Sequence, residues 1–344
     1  MIDKIKVLDC TLRDGGQGLE DLKDNGISVE TFSESDRMYI ASKLRDTRIE
    51  IIELGCMSES KKNMEGFAIY KDIQSLSRFI PERRDRGQMY VGLYTGPDTK
   101  LCKIPDYSYE YVDGIRVIIR YSELDKSLLY CKALVNKGYK VFVQPMLTMR
   151  YSHEELHKLI YSVNEMGAYA LYFVDSYGYM NNKDISELLA LYSEELDPDI
   201  YIGFHAHNNM ERAFENVKYF IEQENERKKI VDACAFGMGQ GAGNLPTEIL
   251  VQYLNEFFRT QYNFESILEV CDNLEKFRSH DMETWGYSPV RLIPAAYKAA
   301  YKYAVAMKLQ YGMSLVEINE VLCNMPTEMK HRYTAENLSR LLNI

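Results

Sequence analysis

Two short segments of this chain carry residue types that could share one chemical task. Asp9-Cys10-Thr11-Leu12-Arg13-Asp14-Gly15-Gly16-Gln17 lies near the start, and Gly203-Phe204-His205-Ala206-His207-Asn208-Asn209 lies far downstream. Each adjoins a hydrophobic, strand-like run. His205 and His207 are two residues apart, so on a strand both imidazoles leave the same face. One divalent cation could take a nitrogen from each. Asp14 would add a hard anionic ligand, and Arg13 a fixed positive charge beside it. One carboxylate and two neutral imidazoles leave a dication with a net charge of about +1 and open positions for substrate oxygens. Mn2+ or Mg2+ suits such a set best, and Fe2+ or Zn2+ is compatible with it. A 2-oxo acid could chelate through its carboxylate and keto oxygen, and polarising that ketone lowers the barrier to an enolate beside it.

These residues need elements that bring them together. Eight β-rich runs can be read: Ile5–Asp9, Ile49–Gly55, Met89–Tyr94, Gly114–Ile119, Lys140–Pro145, Ala170–Asp175, Ile200–His207 and Ile230–Gly237. Helix-like periodic stretches lie between most of them, including Ser35–Arg45, Leu124–Lys137, His153–Met166, Asp184–Leu196 and Glu211–Arg227. Strands and helices that alternate through short connections predict a parallel sheet covered by helices. Eight such units match a closed (β/α)8 TIM barrel. A doubly wound sheet is the alternative, but no GxGxxG follows the first strand.

Barrel active sites sit at the C-terminal ends of the strands. Arg13 and Asp14 follow the first run, Glu53 closes the second, Gln144 the fifth and Asp175 the sixth. The two histidines close the seventh, and the glycine-rich loop Gly237 to Asn244 follows the eighth. All would converge on one rim. Gln17, Glu53, Gln144, Asp175, Gly241 and Gly243 are therefore expected near substrate, with Asn244 in reach of the metal or the substrate carboxylate. The glycine loop lacks the Lys-Ser/Thr of a P-loop, so nucleotide binding of that kind is excluded. Residues 15–33 read as a long glycine-containing loop, a candidate lid.

Beyond Leu250 the pattern turns helical, through Glu265–Arg278, Pro294–Gln310, Ser314–Cys323 and Thr334–Leu342. The expected organisation is a metal-dependent catalytic barrel over 1–250 and a C-terminal helical extension over 251–344. Tyr297 and Tyr301, at i and i+4, read as helix packing. Cys234 reads as a small buried thiol inside the eighth strand.

The chain of 344 residues is 46% hydrophobic and 27% charged, which suits a sizeable core. Its net charge of −10 argues against a nucleic-acid surface. The basic runs Arg83-Arg84 with Arg86 and Arg227-Lys228-Lys229 are short and mixed with acids. Seven cysteines without a CxxC pair read as reduced thiols. The first residues have no apolar signal-peptide core, and no stretch reaches the roughly 20 apolar residues of a membrane span. A cytoplasmic protein without membrane or nucleic-acid partners is the expectation.

The Asp-x-Thr-Leu-Arg-Asp-Gly start, the His-x-His-Asn of the seventh run and the Gly-x-Gly-x-Gly-Ala-Gly-Asn loop together resemble the DRE-TIM metallolyases. This HMG-CoA-lyase-like family comprises divalent-metal TIM barrels that make or break carbon–carbon bonds through enolates. Within it, chain length and the helical tail are most similar to 4-hydroxy-2-oxovalerate aldolases. The resemblance implies Asp14, His205 and His207 as metal ligands, with Asn244 as a further contact, and Arg13 as the enolate-stabilising group. It implies a metal-dependent aldolase or lyase acting on a 4-hydroxy-2-oxo acid, a homodimer and an aldehyde dehydrogenase partner. Two positions depart from the aldolase pattern. Gln17 stands where the aldolases carry a basic His, as in the Claisen synthases, and Arg291 where they carry a catalytic Tyr. The proton-transferring group must then be a tyrosine, a metal-bound water or a residue of the 15–33 segment. The alternatives are an acyl-CoA-dependent Claisen synthase of the isopropylmalate-synthase type and a non-catalytic, ligand-binding or scaffold barrel.

Overall fold

The computed structural model describes residues 4–61, 64–82, 87–223, 226–278 and 284–343. The basic run at 83–86 lies outside them. Among the described residues, nine parallel strands run β1 (Ile5–Asp9), β2 (Ile51–Met57), β3 (Ile69–Tyr70), β4 (Met89–Tyr94), β5 (Gly114–Ile119), β6 (Lys140–Pro145), β7 (Ala170–Asp175), β8 (Tyr201–Ala206) and β9 (Lys229–Ala233). Their order is β1-β9-β8-β7-β6-β5-β4-β2-β3, and β1 also pairs with β2. That pairing closes the expected barrel, with β3 a short pendant on β2. Five of the eight expected runs coincide with strands to the residue, and the others shift at their ends. The eighth stops at Ala233, so Cys234 lies just outside it.

The helices are α1 (Thr11–Asp24), α2 (Glu34–Asp46), α3 (Ile73–Ser77), α4 (Leu124–Asn136), α5 (His153–Met166), α6 (Asn182–Glu195), α7 (Ala213–Glu222), α8 (Thr247–Phe258) and α9 (Phe264–Leu274). They continue as α10 (Pro289–Ala296), α11 (Lys302–Tyr311), α12 (Leu315–Cys323), α13 (Thr327–Lys330) and α14 (Ala335–Leu342). Several start where the chain writes a reciprocal cap: Ser33 with Asp36, Ser152 with Glu155, Asn181 with Asp184 and Ser314 with Glu317.

Strands β2, β4, β7 and β9 are buried along their whole length, as strands covered on both faces must be. One large apolar cluster fills the space between barrel and helices. A smaller one, with Leu8, Ile51, Val91, Phe142, Tyr172 and Ile230, fills the barrel itself. Side chains alternate along each strand, so the inward set also includes Glu53, Arg116, His205 and Asp232. Gly203 belongs to it too. A Cβ there would stand 2.3 Å from the Tyr172 ring, which fills the space opposite.

Two expectations change. Residues 15–33 are not one long loop, because α1 runs through the glycines to Asp24. Glycine disfavours helix intrinsically, but here close packing demands it. A Cβ on Gly16 would lie 2.0 Å from the Phe67 carbonyl oxygen, and one on Gly18 2.7 Å from that of Gly239. Likewise Pro294–Gln310 is not one helix. The chain turns between α10 and α11, with Lys298 at a φ of 56°, so Tyr297 and Tyr301 do not share a helical face. The helices from α10 onward enclose a further apolar cluster that includes Tyr303, Met307, Ile318 and Leu322.

Candidate active site

Asp14 lies in the first turn of α1, where the helix N-terminus favours a carboxylate. Its Oδ2 is 3.8 Å from His205 Nε2 and 3.9 Å from His207 Nε2. Each imidazole is held through its other nitrogen. His205 Nδ1 pairs with Asp232 Oδ2 at 2.8 Å, and His207 Nδ1 pairs with the Asp175 carbonyl oxygen at 3.0 Å. Such contacts direct both Nε2 lone pairs toward Asp14. Asn244 donates its amide to Asp14 and, at 3.1 Å, to the Met238 carbonyl. Its own side-chain oxygen is buried without a partner. Buried acceptors are normally paired, so this oxygen, the carboxylate and two oriented imidazoles form a donor set that fits a divalent cation.

Burial opposes charge on Asp14, but the Arg13 guanidinium and the two imidazoles hold its pKa down at about 2. Burial, then the charge on His205, pushes His207 down to about 4. For His205 burial works the same way and is outweighed, with the hydrogen bonds to Asp232 and Cys10 holding it up at about 9, so that a bound cation would displace the proton from its Nε2.

A buried ionic lattice supports this group from below. Arg13 donates through Nε to Glu53 at 2.8 Å, and through one terminal nitrogen to Asp14 at 2.7 Å and Gln17 at 3.2 Å. Arg116, fully buried on β5, donates to the same Glu53 oxygen at 2.5 Å and also to Asp232. Asp232 in turn accepts from the Tyr172 hydroxyl at 3.0 Å. Gln144 turns its amide oxygen to Arg116 Nε, 2.7 Å away. Arg116 and Asp232 went unremarked in the sequence. The signal for them is a charged residue at an inward position between apolar neighbours, in Gly114–Ile119 and Lys229–Ala233.

Above the group opens a cavity of about 460 Å³. Arg13, Asp14, Gln17, Gln144, His205 and His207 all line it. Glu53, Asp175, Asn244, Gly241 and Gly243 stand outside its lining. Glu53 is sealed beneath Arg13. Asp175 closes its own turn by accepting the backbone N–H groups of Tyr179 at 2.9 Å and Met180 at 3.0 Å, and burial raises its pKa to about 7. Gly241 and Gly243 shape the loop at φ values of 64° and 88°. Tyr301, expected only to pack, lines the cavity and donates its buried hydroxyl to Asp21 of α1, which Lys302 also contacts.

Comparison with known proteins follows the same lines. Residues 121–274 match the HMGL-like family. The chain is 30% identical over 312 residues to a 4-hydroxy-2-oxovalerate aldolase of Stutzerimonas stutzeri, covering 86% of this chain and 85% of that one. It is 29% identical over 276 residues to the enzyme of that name from Pseudoalteromonas translucida, covering 79% and 76%. Among solved structures, an N-terminal domain from Bacteroides vulgatus superposes with a TM-score of 0.72 at 23% identity, covering 92% of this chain and 99% of that one. A barrel closed in this order, the three motifs on one rim and relatives matched over most of their length identify the chain as a member of the HMGL-like, DRE-TIM family.

Proposed function

We propose that this protein is a divalent-cation-dependent lyase that cleaves, or in reverse forms, a carbon–carbon bond of a 4-hydroxy-2-oxo acid, giving pyruvate and an aldehyde. Its relatives named 4-hydroxy-2-oxovalerate aldolase support the reading. The observation that carries it is the convergence of Asp14 with two oriented imidazoles beside the Arg13 guanidinium. A cation held by Asp14, His205, His207 and Asn244, with Mn2+ or Mg2+ best suited, would supply the charge that polarises the 2-oxo group.

The protein's own groups account for the remaining steps. Arg13, fixed by Glu53 and Asp14, presents a permanent charge where the enolate oxygen develops, and needs no reorganisation as the charge appears. Gln17 cannot take a proton at neutral pH, so it orients a polar group of the substrate. Tyr301 fills the proton-transferring role. Its oxygen takes the proton of the 4-hydroxyl as its own passes to Asp21, the bond between the third and fourth carbons breaks, and the aldehyde leaves. The bond electrons remain on the enolate, which becomes pyruvate when the proton held on Asp21 returns through Tyr301 to its methylene carbon.

The test is proton exchange. Protein loaded with Mn2+ or Mg2+ should exchange the methyl protons of pyruvate in deuterated water without CoA, and release pyruvate from a 4-hydroxy-2-oxo acid. Exchange on acetyl-CoA alone would assign a Claisen synthase. No exchange on any 2-oxo acid would leave a non-catalytic barrel.

A further inference from the structure

The cavity is larger and more cationic than a five-carbon substrate requires. At about 460 Å³ it falls in the range of roughly 300–1,000 Å³ that accommodates drug-sized ligands. Among the described residues its lining includes Arg13, Arg120, Arg150, Lys302 and Arg332, but Asp14 is the one carboxylate. In a chain of net charge −10, composition does not produce such an excess. Read alone, the acidic residues of the 15–33 segment would favour a small uncharged aldehyde at the mouth. The folded cavity reverses that argument, because Glu20, Asp24 and Glu30 do not line it.

The charge is also distributed unevenly. Asp14 opens α1 just after β1, and the histidines close β8, two strands from β6. Arg150 follows β6, four strands round the closed barrel from β1, and His331 and Arg332 come from the C-terminal helices that cover this side. The cover is tied down, since the Tyr177 hydroxyl donates to the His331 carbonyl at 2.8 Å. Arg120 is engaged with Asp98 at 3.3 Å and Glu123 at 2.9 Å, and Lys302 with Asp21. Arg150 and Arg332 form no ion pair among the described residues. The Arg150 guanidinium lies over the Tyr121 ring at 4.1 Å from its centroid, a stacking that leaves the planar fork free to meet an oxyanion edge-on. His331 lines the same cavity as Arg150, and burial, then the charge of Arg150, lowers its pKa.

The geometry points to a second subsite in which Arg150, with Arg332 and His331, holds an anionic group on the aldehyde half of the substrate. It rests on the aldolase reading above. The pyruvate half sits against Arg13 and the candidate metal ligands, and the other half crosses the barrel mouth to end in a carboxylate or phosphate. A substrate so held is gripped at both ends, and the second grip adds mostly binding energy, expressed in KM.

The test condenses pyruvate with butanal, succinic semialdehyde or glyceraldehyde 3-phosphate on the cation-loaded enzyme. An anionic aldehyde should have a kcat/KM about tenfold or more above that of butanal, chiefly through KM and weakening with added salt. The more favourable anion separates carboxylate from phosphate. In Arg150→Ala and Arg332→Ala the ratio of anionic to neutral kcat/KM should fall about tenfold. A binding arm needs no turnover: calorimetry should detect succinate or inorganic phosphate on the wild-type protein, weakened at least fivefold in Arg150→Ala. Equal kcat/KM for neutral and anionic aldehydes, with pyruvate exchange intact, overturns the subsite. If exchange itself is absent the aldolase reading falls, and the calorimetry alone then decides, with unchanged anion binding in Arg150→Ala overturning the subsite.

Discussion

Arg13 illustrates how single residues are tuned here. Its three hydrogen bonds to Glu53, Asp14 and Gln17 lock a planar donor that a flexible ammonium cannot copy. Arg13→Lys should lower kcat by about 10²–10³-fold with little change in KM, checked by steady-state kinetics. An effect confined to KM would reduce Arg13 to a substrate grip. His207→Ala should abolish stoichiometric Mn2+ uptake, measured by elemental analysis after desalting, and undiminished uptake would remove the proposed ligand set. Tyr301→Phe keeps the ring and deletes the relay, so kcat for cleavage should drop about 10²-fold or more. Asp9 is a stability case. Burial raises its pKa from 3.8 to about 6, although Thr11 and Thr247 donate to it. A carboxyl raised on folding stabilises fully below the unfolded value and loses that contribution as pH climbs through about 6. The loss is at most about 3 kcal/mol. Asp9→Asn should therefore flatten the fall in unfolding free energy between pH 4 and 7, as followed by urea titration.

Among the elements, α1 departs furthest from its local preferences. Gly15, Gly16 and Gly18 would each be about 1 kcal/mol better as alanine in an isolated helix. Gly16→Ala should nevertheless destabilise the protein by about 1–3 kcal/mol or more, because its methyl would drive into the Phe67 carbonyl. Thermal unfolding reads the sign directly, and a raised Tm would refute the packing argument. The helix start at Thr11 is also what places Asp14, Gln17 and Asp21 on successive turns, so one element delivers a candidate metal ligand, a polar contact and the partner of Tyr301. The strands were legible in the sequence because apolar runs bounded by turn residues repeat eight times. Helix α1 was not, because its glycines answer to Phe67 and Gly239, distant neighbours that local periodicity does not encode.

For the whole molecule, the alternation of strand and helix was enough to read a closed barrel, and strand ends were enough to read which rim carries the candidate site. The reason is physical: parallel strands joined by right-handed crossovers put every following loop on one rim. The same-face rule for residues two apart similarly brought His205 and His207 out of the sequence as a pair. Other features depended on contacts across the barrel. Asp175 ends its strand as expected, whereas β2 runs on to Met57 and leaves Glu53 inside it. Glu53 is covered by two arginines and Asp175 closes a turn, and position along an apolar run does not distinguish a rim side chain from one beneath it. Arg116 and Asp232 lie 116 residues apart and meet only because β5 and β9 face each other across the closed sheet. The charge of the cavity was decided last. Read locally, the acidic residues near the start of the chain would give a neutral or acidic mouth. The fold instead turns α1 inward and brings Lys302, His331 and Arg332 over the rim from a segment that the sequence marked only as helical. Local sequence determined the strands, most of the helices and which way the strand side chains alternate. Only the closure of the barrel and the return of the C-terminal helices decided which of those side chains share one cavity, because that depends on packing between segments hundreds of residues apart.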